Sequence, residues 1–269
     1  MLKAFLLFVL GISALQAQEH VADSIVVVKD TVVQVQKHVA DTLMVKDTVH
    51  NLKFNYKQLI IPGVLIGYGF IGLESDWLKG FNSQIRDEVK EDIDNKITID
   101  DFSQYAPAAS VYALNAMGIK GKNNLKDRSI ILATSYLMMS TTVFALKKIT
   151  HVERPDGTSY NSFPSGHTAN AFAGAEFLWQ EYKDKSIWYG ISGYIVATGT
   201  GLFRMYNNRH WLTDVAAGAG IGILSTKVAY WLFPYVKNSI FPSKENKVTS
   251  MLMPFYNGKQ FGGGMVVQF

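Results

Sequence analysis

Cysteine is absent from the 269 residues. That excludes a disulfide framework, a cysteine-based metal site and a thiol nucleophile. Charge is sparse as well, at 18% of residues, and nearly balanced, with a net +4 and no dense Lys/Arg run. So mild a balance leaves no electrostatic footprint for nucleic acid. What the chain does hold is apolar: 48% of its residues are hydrophobic. The mean hydropathy is nevertheless only +0.07, low for a chain made mostly of membrane spans. The length suits one large core with a small appendage.

The first residues have the order of a secretory signal peptide: Lys3, an apolar run from Ala4 to Ala14, then Ala17-Gln18 as the cleavage point. The run is shorter than the ~20 apolar residues a crossing helix needs, and an uncleaved anchor is the alternative. Residues 1–17 are therefore expected to direct export to a bacterial cell envelope. Residues 18–54 read as a spacer arm with a near-repeat. His20-Val21-Ala22-Asp23 returns as His38-Val39-Ala40-Asp41, and Lys29-Asp30-Thr31-Val32 as Lys46-Asp47-Thr48-Val49. Two copies do not make a solenoid.

Between 55 and 240 the pattern turns helical. Leu59 to Leu73 is an apolar run broken by Pro62 and several glycines. Leu78, Phe81, Ile85, Val89 and Ile93 follow at the spacing of an amphipathic helix lying on a core or a membrane surface. Tyr105 to Ile119 is weakly apolar, and Ser129 to Leu146 is the best single candidate for a span. Thr168 to Tyr182, with Glu176, reads as a buried helix. Trp211 to Phe233 carries Gly218, Gly220 and Gly222, which allow close helix contact. The expected fold class is all-α, a bundle of about six helices. Residues 241–269 read differently: apolar stretches on either side of Asn257-Gly258 predict a short β-like hairpin.

Three stretches carry chemistry. His210 and Asp214 stand four apart, one turn on one face of a helix, where a carboxylate can fix the imidazole tautomer. Arg204, six residues earlier, offers a planar donor fork for phosphate oxygens. Lys147 and Arg154 close the long apolar run, and Pro155 helps to end the element there. Two cations at the mouth of an apolar bundle form an anion site by charge alone, although a pair of snorkelling basic residues has the same look. Pro164-Ser165-Gly166-His167 opens the next helix, where unpaired amides meet the positive end of the dipole. Ser165 adds a hydroxyl, Gly166 lets an anion approach, and His167 sits in the first turn. An ordinary serine N-cap beside a surface histidine would read the same way.

Taken together, the order is Lys, six residues, Arg-Pro; then Pro-Ser-Gly-His; then Arg, five residues, His, three residues, Asp. It resembles the type-2 phosphatidic acid phosphatase superfamily, which also includes class A acid phosphatases and vanadium haloperoxidases. The motifs span 147–214, and the helical pattern around them is compatible; the arm and the tail are not covered. The resemblance implies that Lys147, Arg154, Arg204, Ser165 and Gly166 bind the phosphoryl oxygens. It implies that His210 attacks phosphorus, Asp214 orients His210, and His167 protonates the leaving oxygen. It implies no metal and no cofactor, and no carboxylate cluster suited to a metal stands out in the sequence. One position departs from the family pattern: Phe203 occupies the place of the usual serine before the third-motif arginine.

The function so implied is hydrolysis of phosphomonoesters or diphosphates through a phosphohistidine. The substrate is expected to be an envelope lipid phosphate of the phosphatidate, polyprenyl diphosphate or lipid A type. A soluble periplasmic acid phosphatase is the alternative, with a haloperoxidase or an inactive scaffold more remote. Membrane association is expected, with the site facing the periplasm. If 59–73, 105–119 and 129–146 all crossed, an exported N-terminus would instead put Lys147 and Arg154 in the cytoplasm.

Overall fold

Alanine or glycine stands at six of the ten positions from Gly166 to Ala175, so a helix here has little side-chain bulk and neighbours can close in around it. The computed structural model describes residues 55–90 and 98–241, and the backbone of 249–256 and 261–268. The signal-peptide and spacer-arm readings lie outside the described residues. After a 3-10 turn at Tyr56–Leu59 come eight α-helices. They are α1 (Ile60–Glu74), α2 (Asp76–Lys90), α3 (Ile99–Ser103), α4 (Ala106–Ala116), α5 (Leu125–Thr150), α6 (Gly166–Tyr182), α7 (Ile187–Tyr206) and α8 (Leu212–Ile240). Two strands follow, β1 (Thr249–Tyr256) and β2 (Phe261–Gln268), paired antiparallel with Thr249 opposite Gln268 and Tyr256 opposite Phe261.

The all-α class is as expected, with eight helices rather than about six. Ser75 adopts extended backbone and separates α1 from the amphipathic α2. The polar stretch before Tyr105 adds the short α3, and Gly118, at φ +90, stops the chain soon after α4.

Helix α6 is the centre: 13 of its 17 residues are buried. Helices α7 and α8 pack along it, with α4 and α5 also against it and α1 on α8. The α8 glycines make the closest approaches. A side chain at Gly218 would strike the Ser165 carbonyl, and one at Gly222 the Ala169 carbonyl and Ala173 amide, all on α6 or its cap. Gly220 points the other way, against the Pro62 carbonyl of α1. Two buried carboxylates on α6 are fully engaged. Glu176 accepts from Lys227 at 2.7 Å, from Gln180 and from Tyr194. Glu181 accepts from the Asn123 amide at 3.0 Å and from Tyr230 at 2.7 Å. Buried charge is tolerated only when it is paired in this way.

Three helical stretches are long and apolar enough to cross a membrane: Tyr56–Glu74, Leu125–Thr150 and Leu212–Ile240. Their outward faces expose Ile61, Val64, Leu137, Phe144 and Tyr235. The 105–119 stretch is not among them. Its helix, α4, has 11 residues and is roughly 16 Å long, too short to cross alone. Gly72 lies on Thr213 and Pro62 on Gly220, so α1 runs antiparallel to α8. Lys237 of α8 pairs with Asp127 in the first turn of α5 at 3.0 Å, so those two are antiparallel as well. The ends of α1 and α5 therefore gather with the starts of α6 and α8 at one end of the bundle. The candidate site is built there.

The glycine ladder yields a stability prediction. Gly222→Ala is expected to lower stability by about 1–3 kcal/mol, because its methyl group meets backbone that cannot yield. Gly67→Ala, with open space around it, is the control and is expected to be neutral or slightly stabilising. Denaturant unfolding followed by circular dichroism measures both; equal stability of the two variants would contradict the packing described.

Candidate active site

Helix α8 opens on its own carboxylate. Asp214 stands at the third helical position and accepts the Trp211 amide at 2.9 Å, closing the first turn. The same oxygen, Oδ2, accepts the Ser162 hydroxyl at 2.5 Å and lies 3.6 Å from His210 Nδ1. Ser162 Oγ is also 3.4 Å from that Nδ1. Asp214 and Ser162 thus both face Nδ1, which leaves Nε2 as the ring nitrogen with a free lone pair. His210 is buried, and burial holds its pKa down to about 4. Asp214 pulls that value up, while Lys147 and Arg204 push it down. At neutral pH the ring is a neutral base.

The backbone carbonyl of Asp214 accepts the Ser165 amide at 3.0 Å, which ties the start of α8 to the start of α6. Ser165 is the N-cap of α6; its hydroxyl is shared with the Thr168 hydroxyl at 2.8 Å and the Thr168 amide at 3.5 Å. Gly166 is the first helical residue, so its amide and that of His167 lie in the unpaired first turn.

Cations arrive from three elements. Lys147, in the last turn of α5, donates to the Asn161 carbonyl at 2.5 Å and reaches the Ser162 carbonyl at 3.4 Å. Arg154, in the loop after α5, donates from Nε to the Asn161 side chain at 2.9 Å. Its pKa is lowered by burial and by Arg204 and Arg209 nearby, a sign that like charges are held together. Arg204, at the end of α7, donates to Asp100 Oδ2 at 2.5 Å, and its buried Nε has no hydrogen-bond partner. Lys148 in the last turn of α5 and His151 just beyond it are exposed.

A cavity of about 340 Å³ brings Arg154, His167 and Arg204 together with residues the motifs did not point to: Asp100, Asp101, Asn207 and Arg209. Lys147, Ser165, Gly166, His210 and Asp214 do not line it. His210 is nonetheless close to that charge cluster, since Arg204 as well as Lys147 acts on it. Asp100 is buried and also accepts from Asn207 at 3.0 Å. Asp101 Oδ1 lies 2.9 Å from His167 Nε2. Burial lowers the pKa of His167, Arg204 lowers it further, and Asp101 raises it.

No carboxylate cluster suited to a metal stands out in the sequence, but the fold assembles a small one. Ligand atoms of Asp100, Asp101 and His167 fall within 4.8 Å of one another. The signal in sequence is only an Asp-Asp pair. Arg204, ion-paired to Asp100 and 3.9 Å from Asp101, supplies the positive charge at this cluster. Phe203 packs edge-on against Tyr206, at 6.0 Å between ring centroids. Ser162, Asn161 and Arg209 are also not among the motif residues, although the first two stand only two and three residues before Pro164.

The arrangement places a neutral imidazole beside a carboxylate, a second imidazole in a helix's first turn, and several cations around both. It can hold an oxyanion and attack its centre. Residues 128–238 match the model of the PAP2 superfamily, which is the class of protein that the three motifs resemble. Among individual proteins, the chain is 35% identical over 171 residues to the lipid A 1-phosphatase of Porphyromonas gingivalis, covering 61% of this chain and 38% of that protein. It is 36% identical over 74 residues to the bacitracin transport permease protein BcrC of Bacillus licheniformis, covering 28% of this chain and 34% of that protein. The chain thus spans little more than a third of the length of these relatives. Among solved structures, Aquifex aeolicus LpxE aligns at 22% identity with a TM-score of 0.43, over 55% of this chain and 94% of that one.

The Asp101–His167 contact makes a prediction that needs no substrate. In Asp101→Asn the His167 imidazole is expected to titrate at lower pH than in the parent chain, because the carboxylate that favours its charged form is gone. NMR titration of the imidazole resonances measures it; an unchanged midpoint would contradict the contact.

Proposed function

We propose that the chain is a phosphatase that works through a phosphohistidine on an envelope lipid phosphate. The observation that carries this reading is the buried His210–Asp214 pair beside Arg204, Lys147 and Arg154. Asp214 keeps the proton on Nδ1 and compensates the positive charge that grows on the ring. His210 Nε2 attacks phosphorus, the bond to the leaving oxygen breaks, and His167 gives that oxygen its proton. The three cations hold the non-bridging oxygens and gain as charge builds on them in the transition state. Water then attacks the phosphohistidine, His167 takes a proton from it, and inorganic phosphate leaves with Nε2 restored.

The three long apolar helices support a membrane-bound substrate over a soluble one. Among the lipid phosphates, the Porphyromonas gingivalis relative favours a phosphate on a lipid A-type headgroup. The site faces the periplasm in this reading. Helix α1 ends at the site, so if it crosses fully, residue 55 stands on the opposite side of the membrane.

Three experiments test this reading. His210→Ala is expected to lose at least about 1,000-fold in kcat/KM on a lipid phosphate. In the parent chain kcat/KM is expected to peak in the acid range. It falls below about 4, where His210 becomes protonated, and falls again on the alkaline side as His167 loses its proton, below the ordinary imidazole value of roughly 6.5. A rising profile through neutrality would contradict the assignment of His167 as the acid. The side of the membrane is tested by single-cysteine labelling, since the parent chain has none. Thr158→Cys, exposed in the loop at the site, is expected to react with an impermeant maleimide in intact cells. Labelling only after lysis would reverse the orientation. Labelling of Tyr56→Cys as well would set the bundle on the membrane rather than through it.

A further inference from the structure

The two ends of the bundle carry different exposed charge. Around the candidate site the exposed carboxylates Glu74, Asp76, Asp101 and Glu153 outnumber the exposed lysines Lys79 and Lys148. The far end gathers the start of α1, the turn between α4 and α5, the turn between α6 and α7, and the end of α8. Lys122 donates its amide to the Glu181 carbonyl at 3.0 Å, and Lys126 Nζ stands 3.3 Å from the centre of the Phe241 ring, so these pieces meet.

The buried carboxylates of this end are already paired, Asp127 with Lys237 at 3.0 Å and Glu181 with Arg128 at 3.9 Å. What is left at the surface, among the described residues, is six lysines against one aspartate. Lys57, Lys120, Lys126 and Lys185 are exposed, Lys122 and Lys183 are half-buried, and Asp184 is the exposed acid. Lys183 donates to the Gln180 side chain at 2.8 Å, a neutral acceptor that holds the ammonium without neutralising it. Burial lowers the pKa of Lys183, and the neighbouring Lys122 lowers it further. Like charges held together in this way favour an anion beside them.

The surroundings narrow the class of anion. Tyr56, Met117, Leu125, Trp188, Tyr235 and Phe241 are exposed at the same end. Aromatics and lysines at the ends of long apolar helices are the side chains that settle among lipid headgroups. Lys57 and Lys126 lie in the first turn of two membrane-length helices, and Lys120 and Lys122 stand just ahead of one of them. The exposed cations here are lysines, compact charges without the planar fork that reads a base edge or clamps a carboxylate. Such charges suit phosphates that have no fixed orientation. An acidic protein would meet the lysines but leave the aromatics around them uncovered.

We propose that this end binds the headgroups of anionic phospholipids, with Lys120, Lys122, Lys183 and Lys185 on the phosphates and the aromatics at headgroup depth. The cytoplasmic leaflet carries anionic surface charge, and lysine-rich ends stay on that side. That is the orientation proposed above, with the site facing the periplasm. Binding of this kind rests on the membrane-bound reading and not on the phosphatase chemistry.

The test uses the full chain in detergent micelles that hold equal amounts of phosphatidylglycerol and phosphatidylcholine with the same acyl chains. Native mass spectrometry counts the lipid that stays bound. Phosphatidylglycerol is expected to exceed phosphatidylcholine at least about fivefold on the parent chain, and the ratio is expected to fall to about one when Lys120→Gln, Lys122→Gln, Lys183→Gln and Lys185→Gln are combined. If that variant misfolds by circular dichroism, Lys120→Gln with Lys185→Gln, both at exposed positions, stands in and is expected to lower the ratio at least about twofold. Lys79→Gln with Lys148→Gln, at the site end, is the control and is expected to keep the parent ratio. Equal binding of the two lipids to the parent chain, or a control that loses the preference as well, overturns the proposal. So does a preference that survives the fourfold variant, which would put the lipid phosphate at the active site. No lipid of either kind on the parent chain overturns the membrane-bound reading too. Hexyl phosphate is expected to be hydrolysed equally by the parent chain and the fourfold variant. A preference lost in the fourfold variant, with hexyl phosphate hydrolysed by neither chain, supports the lipid surface and defeats the phosphatase reading.

Discussion

Asp214 is the residue on which the arrangement depends. Its side chain closes the first turn of α8, takes the hydroxyl of Ser162 and faces His210 Nδ1. Its backbone carbonyl holds the amide of Ser165, the cap of α6. One buried residue thus joins two helix starts, a loop and the imidazole between them. Carboxylates hydrogen-bonded at an N-terminus are strong partners, and here that strength is used to position chemistry. His210 stays neutral despite the adjacent carboxylate because burial outweighs it and two cations oppose it.

The junction is possible only because the helices come very close. Gly218 and Gly222 bring α8 onto the backbone of α6. Without that approach Ser165 and Asp214 could not share a hydrogen bond. The opposite end of α6 is sealed by Glu176 and Glu181 with their basic and hydroxyl partners. The apolar residues displaced by this polar interior lie on the outside, on α1, α5 and α8. An exterior of that kind is suited to lipid, and it places a charged site at one end of an apolar bundle.

The three motifs were legible because each is local. A cap, a helix end and an i, i+4 pair can be read from spacing alone, and the structure sets all three at one end. What stayed hidden is the set of partners fixed by tertiary approach. Asp100 meets Arg204 from 104 residues away, and Asp101 meets His167 from 66. No local pattern marks an Asp pair in a polar stretch as different from a solvated one. Ser162 was nearer to view, standing two residues before a motif, but its role depends on Asp214, 52 residues on. The helix count differed for a related reason: α3 is five residues long, too short for periodicity to show. The 105–119 stretch was apolar enough to suggest a span, and its helix proved too short to cross alone.

The proposed function turns on covalent phosphorylation of His210. His167→Ala mixed rapidly with p-nitrophenyl phosphate is the most direct test. That leaving group needs no protonation, so attack proceeds, while hydrolysis of the intermediate loses its base and stalls. A burst of p-nitrophenol equal to the enzyme concentration is expected. Mass spectrometry is expected to find an acid-labile, alkali-stable phosphoryl group on His210. Steady turnover with no burst and no modified histidine, or a phosphoryl group on another residue, would contradict it.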